Sequence, residues 1–417
     1  MAPGSDSDYQ WLQKIIYPTG HDSDAIVRDK PGVANTPHKK DFTSGEGMKI
    51  PAPYGSGMGA SADVAVATAN QTSAKGTYFM VDQRKYYAPF SLEGKLVENA
   101  KQGNAASQFT DQMKYEADQV EDCIGWELER QLFGSQAGFR GQIAGISIGA
   151  TTTFQMLQPS DIIHMRVGMT IVLGTTASGV IRTGGTTNKA VISAVDVGAN
   201  LVTFTGQNFT TLFGTAANGD YIFREGDAQN NATNGVCSAG LGDWNPIATP
   251  SATAFFGVVR TVSPHELAGC RYDASTNGDQ LPTVFINARA QYMTQTGKGM
   301  PKGAWYIHPL YGAALRNYFE AKRIVDIERE TEYKFGVQAF KIDNQEFVEA
   351  AACPYGVARF VADGAFVRAS CGDQPSWAGD KFWLDHKTDR VQGLMRHYGN
   401  YAALHVNELM AVTLMAL

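Results

Sequence analysis

The stretch NAASQFTDQMKYEADQVEDCIGWELERQLFG, residues 104–134, constrains this chain more than any other. Phe109, Met113, Ala117, Val120, Ile124, Leu128 and Leu132 recur at steps of 4, 4, 3, 4, 4 and 4. That spacing places them on one stripe of an α-helix, the side that must be buried. Asn104 is suited to cap the start and Gly134 to stop the end. At about 1.5 Å per residue the helix runs roughly 45 Å, long enough to organise a domain. Its remaining surface is acidic. Asp111, Glu116, Asp118, Glu121, Asp122, Glu127 and Glu129 stand against Lys114 and Arg130, a net −5.

Just upstream the period changes. In GTYFMVDQRKYYAPFSLEGKL, residues 76–96, Phe79, Val81, Lys85, Tyr87 and Pro89 alternate with their neighbours, as in one strand or two in line. A ribbon of about fifteen residues is long against the usual 5–6, so it is expected to project, with ADVAVATANQT (62–72) as its hairpin partner. Lys75, Arg84, Lys85 and Lys95 outweigh Asp82 and Glu93 in residues 75–95, a net +2. The opposite charges raise the expectation that Arg84, Lys85, Tyr86 and Tyr87 lie across Glu116, Glu121 and Asp122 of a neighbouring copy. The plainer alternative is a solvated helix face.

Residues 1–60 hold eight Gly and six Pro, a composition that does not build a core of its own. Trp11, Leu12, Ile15, Ile16 and Tyr17 cluster within it, so an arm that docks elsewhere is expected, with Trp11 as a contact residue. Residues 160–227 switch to short β-runs separated by Gly and Asn turns, a small sheet or barrel, and 228–250 read as a long loop. Beyond that the chain alternates. LPTVFINARAQYMTQTG (281–297) and PLYGAALRNYFEAKR (309–323) read as helices, while AWYIH (304–308), VQAFKI (337–342), GVARFVA (356–362) and RVQGLMRHY (390–398) read as strands. The chain stops on LMAVTLMAL, nine residues after its last charge at Glu408, an ending that needs a core or a partner.

Composition narrows the functional classes. A chain of 417 residues, 43% hydrophobic and 18% charged, is globular, and a net charge of −6 argues against a surface that coats DNA or anionic lipid. The five cysteines are scattered without zinc spacing and read as reduced, buried thiols. There is no signal-peptide core and no apolar run of membrane-spanning length.

The motifs that could carry chemistry sit in the wrong contexts. GISIG (145–149) matches the nucleophile elbow around Ser147, but ATTTFQ after it is a poor helix start, and Asp385 and His386 are adjacent rather than separately placed. GSGMGA (55–60) lacks a flanking strand and helix, TGKGMPKG (296–303) lacks phosphate-loop spacing, and HELAGC (265–270) has no second cluster to complete a metal site. His308, at a strand–helix junction, reads as a hydrogen-bonded structural histidine. No catalytic, cofactor-binding or metal-ligating residue is assigned.

The order of parts resembles the major capsid proteins of tailed double-stranded-DNA phages, which share the Hong Kong 97-type shell fold. The resemblance is carried by YYAPFSLEGKLVENA running into the helix that ends ELERQLFG, by WYIHPLYGAALRNYF, and by ACPYGVARFVADGAF before MRHYGNYAALHVNELMAVTL. It implies an α+β fold with an N-terminal arm (1–60), an extended β-ribbon loop (61–95) and a peripheral domain (96–159) built on a spine helix at 104–133. A β-rich insertion (160–227), an axial domain (228–385) and closing strands (386–417) that return through both domains complete it. It also implies a non-enzymatic protein that needs no cofactor and assembles with itself as hexamers and pentamers. A scaffolding protein, a portal, in some shells a decoration protein, and packaged double-stranded DNA held without sequence specificity would be its partners. The implied location is the virion capsid, assembled in the host cytoplasm. An encapsulin-type compartment with enzyme cargo is the nearest alternative, with a β-rich tail protein and a serine hydrolase further off. On this reading, neighbours cover the arm, the ribbon and the terminal strand.

Overall fold

The computed structural model describes residues 26–40, 42, 47–55, 60–93, 106–145, 152–206, 208–214, 216–230, 232, 235–321, 340–342, 345–385 and 389–416. It opens with a short helix α1 (Pro31–Ala34), strands β1 (His38–Lys39) and β2 (Met48–Gly55), helix α2 (Val64–Ala69), and strands β3 (Lys75–Val81) and β4 (Arg84–Glu93). The long helix α3 (Ala106–Phe133) follows. Six strands come next: β5 (Phe139–Ala144), β6 (Thr153–Met156), β7 (Thr170–Gly174), β8 (Ala190–Asp196), β9 (Leu201–Phe204) and β10 (Tyr221–Arg224). Then β11 (Cys270–Asp273), α4 (Leu281–Thr296), β12 (Gly303–Ile307), α5 (Pro309–Ala321), β13 (Phe340–Ile342) and β14 (Gln345–Glu349) alternate. Strands β15 (Val357–Ala362), β16 (Phe366–Ser370), β17 (Ser376–Asp385), β18 (Arg390–Ala403) and β19 (Leu409–Thr413) close the chain, which is α+β.

Two compact units result. The first comprises the residues up to Gly47, Gln83–Glu129 and Arg368–Asn400; the second comprises Met48–Asp82, Arg130–Val367 and Tyr401–Leu417.

In the first unit the helix forms where its apolar period predicts. Ala117, Val120, Ile124 and Leu128 are buried, each large one contributing about 1.5–3 kcal/mol on removal from water. Asn104, and the side chains of Phe109 and Met113, lie outside the described residues. Opposite the helix stands a sheet of order β1-β16-β18-β17, with β4 on β18 through antiparallel pairs from Arg84↔Gly399 to Glu93↔Arg390. Trp377 of β17 joins the layers: its indole N–H donates to Glu121 on α3 at 3.3 Å, and its ring meets Phe90 of β4 edge-on at 5.7 Å.

The second unit holds three sheets. Strands β2 and β3 form a hairpin with Ile50 opposite Phe79. Its base is anchored by Phe79, edge-on to Trp244 at 5.1 Å, and by the Met80 N–H to the Phe256 carbonyl at 3.0 Å. Strands β10-β5-β6-β9-β8-β7 close into a barrel with its own core, including Ile143, Phe154, Ile171, Ile192, Phe204 and Phe213. A six-stranded sheet of order β11-β19-β15-β12-β14-β13 carries α4 and α5. Pro282 sits in the first turn of α4 and Gly297, at φ 67°, ends it.

Four expectations change. The partner of β3 is β2, not residues 62–72, which instead form α2 with Asp63 as N-cap, its Oδ1 accepting the Ala65 N–H at 2.8 Å. Of the two readings of 76–96, one strand or two in line, the structure has two strands, but they do not form one ribbon: β3 pairs with β2 and β4 with β18, with a break at Asp82–Gln83. The β-rich region extends below residue 160, because β5 and β6 are staves of the barrel. Finally, the apolar ending needs no neighbour: β19 lies between β11 and β15, with Leu409, Met410, Ala411 and Val412 buried. The Tyr311 hydroxyl, donating to the Met415 carbonyl at 2.5 Å, holds the residues after it.

Candidate assembly surfaces

Strand β4 alternates because one of its faces lies on the first unit's core. Tyr86, Ala88, Phe90 and Leu92 are buried; Lys85, Tyr87, Pro89, Ser91 and Glu93 are exposed. Antiparallel pairing sets Lys85 beside Tyr398, Tyr87 beside Arg396 and Pro89 beside Leu394 on β18. The rings of Tyr87 and Tyr398 meet edge-on at 5.9 Å, and the Arg396 guanidinium lies 5.5 Å from the Tyr398 ring. The paired Tyr87 and Tyr398 hydroxyls shift each other, raising the Tyr87 pKa and lowering that of Tyr398; Arg396 and Lys85 lower Tyr398 further. The outer face of this strand pair is therefore basic and aromatic, a surface able to meet an acidic partner.

The predicted contact residues separate accordingly. Lys85 and Tyr87 lie on that outer face, whereas Tyr86 points into the unit's own core, since residues one apart on a strand face opposite ways. Arg84 is half-buried opposite Gly399. On α3, Glu116 is half-exposed and Asp118 exposed, but Glu121 accepts the Trp377 indole and Asp122 pairs with Lys30 at 2.7 Å. Trp11 lies outside the described residues.

One acidic residue has a role that spacing does not reveal. Glu129, 1% exposed, accepts the Gly32 N–H at 2.9 Å and the Val33 N–H at 2.8 Å, so it caps α1 from across the unit. Burial raises its pKa, opposed by those two N–H groups and by Lys30. The signal available in the sequence was Gly125, an isolated glycine inside a helical pattern. A Cβ there would come within 2.9 Å of the Ile26 carbonyl oxygen.

The chemical motifs are placed as follows. Ser147 and His386 lie outside the described residues. His308 accepts the Leu310 N–H at Nδ1, 3.3 Å away, and stands edge-on to Tyr355 at 5.9 Å; burial lowers its pKa. In HELAGC, Glu266 accepts the Ser263 hydroxyl at 2.7 Å, and burial pushes the Cys270 thiol up to about 12. Among the described residues no three His, Cys, Asp or Glu side chains gather as metal ligands.

No protein-family model matches this sequence, and no curated protein does. Solved structures do. A chain of the cyanophage A-1(L) capsid asymmetric unit is 10% identical, with 97% of this chain and 96% of that one covered and a TM-score of 0.53. A chain of the native GTA particle capsid is 8% identical, with 94% and 91% covered and a TM-score of 0.46. A chain of the encapsulin complex from Synechococcus elongatus is 9% identical, with 99% and 96% covered and a TM-score of 0.39. Scores below 0.5 do not separate a shared fold from shared elements, so weight rests on the cyanophage chain, whose overlay runs almost end to end. This chain has the α+β fold of a phage capsid chain.

Proposed function

We propose that this protein is a major capsid protein, which assembles through hexamers and pentamers into an icosahedral shell around a phage double-stranded DNA genome. The observation that carries the reading is the overlay on a phage capsid chain, which covers 97% of this chain and 96% of that one. Exposed surface supports it. Helix α2, at the far end of the β2–β3 hairpin, carries Val64 at 81% and Val66 at 45% exposure, and Tyr87 is 45% exposed on the first unit's outer sheet face. In a shell, these exposed apolar and aromatic side chains are where neighbouring copies would meet. Repeated around a closed lattice, contacts that are weak singly add up over an interface beyond the standard roughly 1,600 Å². A net charge of −6 suits a container that encloses DNA without gripping it.

Within the shell, Lys85 and Tyr87 face a neighbouring copy, with Glu116 and Asp118 of α3 as the complementary charges. A scaffolding protein, a portal and decoration proteins are the expected partners, and the virion is the expected location. The test is to produce the protein alone and with its scaffolding protein, then examine it by sedimentation and electron microscopy. Closed shells are expected from the wild type, and fewer from Lys85→Glu with an unchanged circular-dichroism spectrum. A chain that stays monomeric under both conditions sinks the reading. Native particles filled with protein cargo instead of DNA would redirect it to a compartment of the encapsulin type.

A further inference from the structure

Residues 26–40 and Phe42 lie against the rest of the first unit at two stations. At helix α3, Glu129 caps α1 by accepting the Gly32 and Val33 N–H groups. Lys30 reaches Asp122 at 2.7 Å and lies 5.7 Å from the Trp126 ring centre. At the sheet, β1 pairs in parallel with β16. The Phe42 N–H donates to the Ser370 carbonyl at 3.1 Å, and the Gly372 N–H to the Lys40 carbonyl at 3.0 Å. His38 Nε2 lies 2.6 Å from the Ser370 hydroxyl, and Lys40 pairs with Asp373 at 2.9 Å. Against these polar contacts stand three large buried apolar side chains in the described segment, Val27, Val33 and Phe42.

We propose that this segment is a detachable strap, latched to α3 by the Glu129 carboxylate and seated only because residue 125 has no side chain. Two features support detachment. The flanking ion pairs Lys30–Asp122 and Lys40–Asp373 are partly open to water, where pairing holds weakly. The close approach at Gly125 also sets the strap against the helix. Alanine there favours the helix, yet its Cβ would press on the Ile26 carbonyl, a backbone atom that yields only if the strap moves. Seated and lifted strap are then two states of one chain, separated mainly by polar contacts, as in order–disorder switches. The proposal goes beyond the shell reading and does not need it, because it concerns the single chain.

Hydrogen exchange followed by mass spectrometry on the full-length protein tests it. In Gly125→Ala, exchange over residues 26–40 should rise at least about tenfold while the melting temperature holds or increases, the mark of local rather than global opening. Glu129→Ala should also free the strap and leave β18 protected, with Glu129→Gln, which keeps one carbonyl acceptor, in between. Should Glu129→Ala fail to fold, Gly125→Ala decides alone. Wild-type exchange over the strap in the variants, or β18 accelerating in step with it, would overturn the proposal.

Discussion

His397 shows how one buried side chain sets a pH dependence. It lies on β18 at 2% exposure, and the charged or titratable groups facing it are Arg368 on β16 and His38 on β1. Burial, and then those two neighbours, push its pKa down to about 3. Gly399 makes room for the ring, since a Cβ there would meet the imidazole Nε2 at 2.8 Å. The unfolded chain takes up a proton near the ordinary value of about 6.5, and the folded chain does not. Stability is therefore fully present above about pH 6.5 and is lost as pH falls toward about 3, at up to about 1.4 kcal/mol per pH unit for one group. Urea midpoints at pH 7, 5.5 and 4.5 should fall for the wild type and fall less for His397→Gln. Equal falls would remove His397 as the cause. None of this was legible from spacing, because the groups around His397 come from two strands distant in sequence. The same holds for Glu129, read as one more acid on a solvated face, whose partners are 97 and 96 residues away.

Elements were legible where their period was long and unbroken. Helix α3, helices α4 and α5, and strand β12 fall where apolar spacing and the Pro and Gly signals put them. Strand β2 was hidden by its own composition, since MKIPAPYG reads as part of a Gly/Pro-rich arm. The structure shows what the prolines are for. Pro51 and Pro53 lie two apart, so their nitrogens point the same way, and proline persists in a strand only where that side has no ladder partner. The outer edge of β2 therefore lacks two donors, which guards an exposed hairpin against pairing edge to edge. Replacing both by valine should restore the edge. Dye-binding, sedimentable β-aggregate is then expected to rise with concentration well above the wild-type level, and an unchanged level would mean that the edge is protected by something else. Strand β19 was legible as a strand but not as a central one, because its neighbours are β11 and β15, about 140 and 50 residues upstream in a chain whose pairing no local signal gives.

At the scale of the molecule, the β-region between α3 and the 228–250 loop follows rules of its own. Its alternation was legible, but its extent was not, because β5 and β6 are short and the segment between them reads as a glycine-rich motif. Closure changes what the region can do. Phe139 on the first stave stands opposite Phe223 on the last, so the chain enters and leaves at adjacent points. The core inside is continuous, with sixteen buried residues packed on one another among the described residues. Ion pairs close within it: Arg140 with Asp227 at 3.1 Å, Asp227 again with Arg224 at 3.1 Å, and Arg182 with Asp220 at 2.6 Å, while burial pushes the Asp161 carboxyl up to about 7. A barrel with no open edge, a filled interior and internal ion pairs has most of what a folding unit needs; the rest of the chain adds bonds at its ends, from Arg130 to the Phe139 carbonyl at 3.3 Å and from the Cys237 thiol to the Asp227 carbonyl at 3.8 Å. A fragment of residues 136–230 is above the size at which single domains hold together without disulfides or metals. It should therefore fold alone, with an all-β circular-dichroism spectrum and one cooperative thermal transition. The full chain with 138–228 replaced by a short Gly-Ser bridge should keep the protection of β18 and β19 in hydrogen exchange. A fragment that stays unfolded, or a deletion that exposes β19, would show instead that the barrel and the six-stranded sheet form one cooperative body.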